Sequence, residues 1–201
     1  MNPVLKIRTT LCYEMNNEEA AYRNIHQDLI DGCKNGDPKA QFQIYKLYYK
    51  AMYNTCLRIV NDSMEAEDIM QESFLSAFEK IDTYSGTVSF GAWLKKIVIN
   101  RSLDALNKRK TIFEEIESYP AIIDDDYDDK LYIEEVETKV EEIKKAIERL
   151  PDGYRIIISL YLIEGYDHDE ISEILSISSS TSRSQLSRAR QKLLGELKKN
   201  M

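Results

Sequence analysis

The chain has 201 residues, 43% of them apolar, and a formal charge of −8, a size that allows one large globular domain or two small ones. No apolar run nears the ~18 residues of a membrane span, and Met1 to Met15 lacks the apolar stretch of a secretory leader. Cys12, Cys33 and Cys56 are odd in number and widely spaced. That excludes a disulfide framework or a Cys-x-x-Cys zinc site, and it is the pattern of free thiols in a reducing, cytoplasmic setting.

The negative charge is local. Residues 111–139 carry eleven acids against Lys130 and Lys139, while the blocks on either side are close to neutral. Each block is therefore free to present a basic face.

In chain order the periodicity is helical and strand signals are almost absent. Residues 18–35 predict a helix stopped by Gly36, and Asp37-Pro38 restarts the chain as N-cap and first helical residue. The next helix carries Phe42, Tyr45, Tyr49, Met52, Tyr53, Cys56, Leu57 and Val60 at helical spacing, an aromatic stripe expected to face the core. Asp62 and Glu65 cap a third helix running to about Ile81, with Ala66, Ile69, Met70, Ser73, Phe74, Ala77 and Ile81 on its inner face. A loop from Asp82 to Val88 leads to a long helix from Ser89 to about Lys110.

Beyond Lys110 the periodicity stops. Tyr119-Pro120 and the run Asp124 to Asp129 predict an extended acidic linker, because such a segment repels itself and has nothing to bury. Helical spacing resumes with Ile143, Ala146, Ile147 and Leu150, then breaks at Pro151-Asp152-Gly153. Tyr154 to Glu164 is apolar nearly all round and is expected to form the buried centre of the second block, with Gly165 ending it.

Asp167 and Glu170 then have capping-box spacing for a short helix ending near Leu175. After a tight turn, Ser178 caps another. On this last helix Leu186, Ala189, Leu193 and Leu197 share one stripe and must face a core. Ser180, Thr181, Ser184, Gln185, Arg188 and Lys192 fall away from it, and Arg183 and Arg190 lie along its edge. From Ser179 to Lys199 six basic residues stand against Glu196 alone. Hydroxyls, an amide and guanidinium groups are what phosphates and base edges require. A short helix, a tight turn and a basic second helix predict a DNA-reading helix-turn-helix.

Two further surfaces carry chemistry. The long helix holds Lys95, Lys96, Arg101, Lys108, Arg109 and Lys110, with Asn100 among them and Tyr84, Phe90 and Trp93 just ahead, a mixture suited to an unstacked strand. Trp93 joins Leu94, Ile97 and Val98 on an apolar face and is expected in the core. On the third helix Glu65, Asp68 and Glu72, with Gln71 and Leu75 beside them, form an acidic face suited to a basic partner. No nucleophile with a base and no glycine-rich phosphate loop occurs. Asp167-His168-Asp169-Glu170 is explained by capping rather than by a metal, because consecutive helical positions point in different directions.

Three segments, in order, resemble the extracytoplasmic-function sigma factors of bacterial RNA polymerase. Glu65-Ala-Glu-Asp-Ile-Met-Gln-Glu-Ser-Phe74 is similar to that family's clamp-binding helix. Ser89 to Asp104, containing Phe-Gly-Ala-Trp and Ile-Asn-Arg, is similar to its promoter-melting, minus-10-reading helix. Leu150-Pro-Asp-Gly-Tyr-Arg155 with the helix-turn-helix through Ser187-Arg-Ala-Arg190 is similar to its minus-35-reading domain.

The resemblance implies an all-α chain of two small helical domains. A region 2 domain would span 28–110 and a region 4 domain 140–201, joined by an acidic flexible linker at 111–139, with residues 1–27 an extension of unassigned role. It implies polymerase binding through Glu65, Asp68, Gln71 and Glu72. Minus-10 capture would fall to Tyr84, Phe90, Lys96, Asn100, Arg101 and Lys108. Minus-35 reading would fall to Ser180, Thr181, Arg183, Ser184, Gln185, Arg188 and Lys192. Partners would be the clamp and flap of core polymerase, promoter DNA and an anti-sigma factor. Catalysis, cofactor, metal and membrane insertion are not expected of the chain. The rival is a helix-turn-helix regulator that binds DNA independently of polymerase. Ser176 and Ser180 stand where the family usually has glycine, and Ser182 where it has an apolar residue.

Overall fold

A computed structural model describes residues 26–108 and 136–198. The expected linker up to residue 135 and nearly all of the N-terminal extension lie outside the described residues. Within them the regular structure is eight α-helices and no strand. They are α1 (Gln27–Lys34), α2 (Pro38–Val60), α3 (Ser63–Glu79), α4 (Phe90–Lys108), α5 (Val136–Glu148), α6 (Asp152–Ile158), α7 (His168–Leu175) and α8 (Ser179–Lys198). A single 3₁₀ turn, Ile81–Thr83, follows α3. Helix α5 begins four residues before the expected end of the linker.

The helix starts follow the capping chemistry. Asp37 Oδ1 accepts from the Lys39 amide at 2.9 Å, and Asp62 Oδ1 accepts from the Glu65 amide at 2.9 Å. Each satisfies a donor that the first helical turn leaves unpaired. Gly36 turns the chain between α1 and α2 at φ 73°, a conformation that costs a side-chain-bearing residue about 1 kcal/mol or more.

The described residues pack as two units, 26–55 with 67–101, and 56–66 with 102–108 and 136–198. In the first, Ile30 and Cys33 of α1, Ile44 and Met52 of α2, Ile69, Met70, Phe74 and Ala77 of α3, and Leu94, Val98 and Ile99 of α4 are buried. Phe42, expected on the inward stripe of α2, is 59% exposed. Ile44, which the expected stripe omitted, is fully buried, and two residues of helix turn Phe42 about 200° away from it. Lys46 Nζ instead lies 5.5 Å from the Phe42 ring centroid.

In the second unit, Ala146, Ile147 and Leu150 are buried, as are Ile156, Ile157, Ile158 and Leu160. Ile143, expected inside, is 40% exposed. The expectation that 154–164 is buried all round also fails at its end. Helix α6 widens into a π turn over Ser159–Ile163, closed by the Glu164 amide on the Ser159 carbonyl at 2.9 Å. The wider turn leaves Leu162 and Ile163 about half exposed.

Arg155 is the deepest charge in this unit. Its guanidinium donates to the carbonyls of Leu150 (3.1 Å), Arg58 (3.1 Å) and Ile59 (3.0 Å) and pairs with Asp152. The carbonyls of Arg58 and Ile59 lie in the last turn of α2, where helical carbonyls lack intrahelical partners and attract a cation. Helix α8 packs on α5, α6 and α7, with Leu186 and Ala189 buried and Leu193 and Leu197 half-buried on the expected stripe.

Candidate nucleic-acid interface

The outward face of α3 is set by its inward one. Ala66, Ile69, Met70, Ser73, Phe74 and Ala77 are all buried. Asp68, Gln71, Glu72 and Leu75 are consequently exposed, Leu75 by 65%. Gln71 reaches back to Glu67 at 3.3 Å. Glu65 is half-buried, close to the Asp62 cap. The face is acidic as its spacing predicts, with two large apolar residues on it, Leu75 and also Met64, which is 80% exposed one turn before Asp68.

Helix α4 follows a turn whose geometry depends on aromatics. The Tyr84 hydroxyl donates to the Val88 carbonyl at 2.8 Å, and the Tyr84 ring lies 5.4 Å from Phe90 and 5.5 Å from Trp93, centroid to centroid. Tyr48 of α2 closes the cluster 5.6 Å from Phe90. At Gly91 a Cβ would stand 2.9 Å from the Tyr48 ring, so only glycine lets α4 approach this closely. Tyr84 and Phe90 are 6% and 4% exposed. Both were expected to meet a DNA strand, but they are wedged into the base of the loop and shape it from inside. Trp93, expected in the core, is half-buried at the edge of the same cluster.

The outer stripe of α4 is polar. Lys96, Asn100, Asp104 and Lys108 are exposed and spaced by four, one acid among cations. Arg101 beside them is half-buried and does not stand alone. Its Nη1 contacts Glu72 Oε2 of α3 at 3.0 Å. Thus a residue expected to hold DNA is paired with one expected to hold a protein partner.

The helix-turn-helix is built as its spacing predicts. Asp167 accepts from the Asp169 and Glu170 amides at 2.8 Å each, while Glu170 accepts from the Asp167 amide at 2.9 Å, a complete capping box. Ser178 Oγ accepts from the Thr181 amide at 3.0 Å and caps α8. Ser176 closes α7 in a left-handed conformation, φ 55° and ψ 40°. Ser182 is fully buried, where its hydroxyl meets His168 Nδ1 at 2.9 Å. His168 stacks on Tyr161 at 4.8 Å, and the Arg190 guanidinium lies 5.7 Å from the Tyr161 ring centroid. Burial first, then Arg183, holds the His168 pKa below its ordinary value, with Asp167 and Asp169 opposing.

Of the residues expected on the reading face, Ser180, Arg183 and Lys192 are exposed, and Thr181, Ser184 and Arg188 are half-buried at its margin. Gln185 is 5% exposed and belongs to the packed side. Leu186, its neighbour on the inward stripe, carries it inside. Ser187 and Gln191, not foreseen as candidates, lie on the accessible side. Their signal is spacing, four after Arg183 and three after Arg188. Among the described residues no group of three or more His, Cys, Asp or Glu could hold a metal, and no helix is long and apolar enough to cross a membrane.

The chain has relatives among known proteins. The family pattern described as Sigma-70 region 2 matches residues 44–112, and that described as Sigma-70, region 4 matches residues 140–193. The ECF RNA polymerase sigma factor SigW of Bacillus subtilis is 31% identical over 178 residues, covering 84% of this chain and 95% of SigW. SigM of the same organism is 31% identical over 157 residues, covering 75% of this chain and 91% of SigM. Among solved structures, the sigma factor RpoE bound to the anti-sigma factor NepR from Bartonella quintana has a TM-score of 0.54 at 24% identity, over 78% of this chain and 95% of that one. CnrH in complex with the cytosolic domain of CnrY has a TM-score of 0.53 at 19% identity, over 86% of this chain and 97% of that one. The likeness to these two structures is one of fold.

Proposed function

Because this chain belongs to the extracytoplasmic-function sigma factors of RNA polymerase, we propose a division of its surface among the tasks of promoter recognition. The protein is a transcription initiation factor that binds core polymerase and directs it to promoters with minus-10 and minus-35 elements. Asp68, Gln71 and Glu72, with Leu75, dock on the polymerase clamp, and half-buried Glu65 flanks them. Lys96, Asn100, Arg101 and Lys108 capture the opened minus-10 strand. Tyr84 and Phe90 hold the loop that presents this face. Ser180, Thr181, Arg183, Arg188 and Lys192 meet the minus-35 duplex, with Ser184 at the margin. Gln185 positions the helix from its packed side.

The bond-making chemistry resides in polymerase, and the chain works in the cytoplasm, where polymerase is. An anti-sigma factor is the further partner expected, since the similar sigma factor RpoE is seen in complex with the anti-sigma factor NepR. The region 2 task belongs to about 28–110, the region 4 task to about 140–201, and the acidic segment between them to polymerase's own basic surfaces.

The capped helix-turn-helix together with the separate acidic face on α3 carries this reading. A free-standing regulator needs the first but not the second. The test is co-purification with core polymerase followed by promoter-dependent transcription. Asp68→Arg, an exposed substitution that costs stability no more than ~0.5 kcal/mol, should abolish both. A folded Asp68→Arg protein that still co-purifies and transcribes would overturn the docking assignment. Tight promoter binding by the wild-type chain without polymerase would favour the independent regulator.

A further inference from the structure

Glu72 and Arg101 lie 29 residues apart in sequence, on α3 and α4, and meet at 3.0 Å. Their positions are not adjustable by helix rotation. Ser73 and Phe74 behind Glu72, and Ser102 and Leu103 behind Arg101, are buried and fix the phase of each helix. The side chains remain accessible, Glu72 by 65% and Arg101 by 38%. Each could therefore be taken by an outside partner of opposite charge.

We propose that this ion pair couples polymerase docking to DNA capture: Glu72 occupies Arg101 in the free protein, and engagement of Glu72 by the clamp releases Arg101 to a DNA phosphate. The inference rests on the assignment of α3 to polymerase and of α4 to the minus-10 strand, and adds a link between them. A guanidinium paired with a carboxylate has less charge to offer a phosphate, and a carboxylate paired with a guanidinium has less to offer a basic clamp. Each ligand must break the same contact. By linkage, whichever binds first lowers the cost for the other by an equal factor. Because both groups are exposed, the factor is small, about two- to fivefold.

The experiment is a double-mutant cycle on the full chain, read by anisotropy of a fluorescein-labelled 12-nucleotide single-stranded DNA of mixed sequence. Glu72→Gln keeps shape and removes charge, and should tighten binding about two- to fivefold. Asp68→Asn removes the same charge one helical turn away without touching Arg101, and should gain less. In an Arg101→Gln background the Glu72→Gln gain should fall to that of Asp68→Asn, the part due to charge removal alone. Equal gains from Glu72→Gln and Asp68→Asn, a Glu72→Gln gain undiminished by Arg101→Gln, or no measurable binding by Glu72→Gln would each overturn the coupling. Co-purification of the wild-type chain with core polymerase is measured separately. Its failure would sink the functional assignment, whatever the DNA titrations show.

Discussion

Two serines at the helix-turn-helix show how one residue changes what its neighbours must do. Ser176 holds φ 55° at the end of α7, a conformation natural to glycine but strained for a residue with a Cβ. Ser176→Gly should therefore raise the unfolding free energy by about 0.5–1 kcal/mol, less whatever glycine adds to the disorder of the unfolded chain. Urea denaturation checks this, and a loss of stability would mean the turn is not strained. Ser182 puts a hydroxyl into a fully buried site, and His168 Nδ1 supplies its partner at 2.9 Å. The burial of His168 has a pH consequence. The folded pKa of His168 is lowered, by burial first, so the folded state prefers the neutral ring. Its stabilising contribution is complete above the ordinary value of 6.5 and is lost as pH falls below it. The melting temperature should fall between pH 7.5 and 5.5, and His168→Gln should flatten part of that slope. An unchanged slope would remove His168 from the account.

At the scale of the element, legibility follows what each pattern encodes. Caps are readable because one side chain and one amide two or three residues away define them: Asp37, Asp62, Asp167 and Ser178 all perform as their positions predict. The inward face of α3 was readable because six small and apolar residues share one phase. Phe42 breaks the expected stripe of α2, because an aromatic side chain marks a core position less surely than the helical phase that Ile44 keeps. Tyr84 and Phe90 differ from expectation for a related reason. Residue type suggested stacking on bases, whereas the loop closes over them through Val88, Trp93 and Tyr48. The π turn after α6 had no signal, because a run of Ile and Leu reads equally as an α-helix. That turn buries the Ser159 hydroxyl with no partner in reach among the described residues. An unpaired buried hydroxyl is unfavourable by about 1–3 kcal/mol, so Ser159→Ala should be at least neutral and should stabilise by about 1 kcal/mol in chemical denaturation. A loss of more than that would show the hydroxyl to be bonded. Leu186→Ala on the α8 seam is the opposite case. It should cost about 2–5 kcal/mol, because it deletes a side chain buried beside Ala189.

At the scale of the whole chain, charge is sorted along the sequence more sharply than its net value of −8 suggests. The cations of α4 and α8 proposed to meet DNA belong to blocks near neutrality, and the acidity is concentrated between residues 111 and 139. On the proposed assignment, eleven acids between two DNA-binding blocks should repel the phosphate backbone from both. Nonspecific binding is almost wholly a matter of phosphate charge, and should therefore be weaker for this chain than its cationic faces alone would allow. Replacing Asp124, Asp125, Asp126, Asp128 and Asp129 with asparagine removes five negative charges and touches neither face. At about 50 mM salt this variant should bind mixed-sequence duplex DNA several-fold more tightly than the wild type. The advantage should shrink as the screening length falls toward about 5 Å near 0.3 M salt. Preference among minus-35 sequences, assigned in the proposed function to contacts from α8, should not change. Equal affinity of the two proteins at low salt would mean that the acidic segment is too distant to influence either face. A gain that persists at high salt would mean that the substitutions had created a contact rather than removed a repulsion.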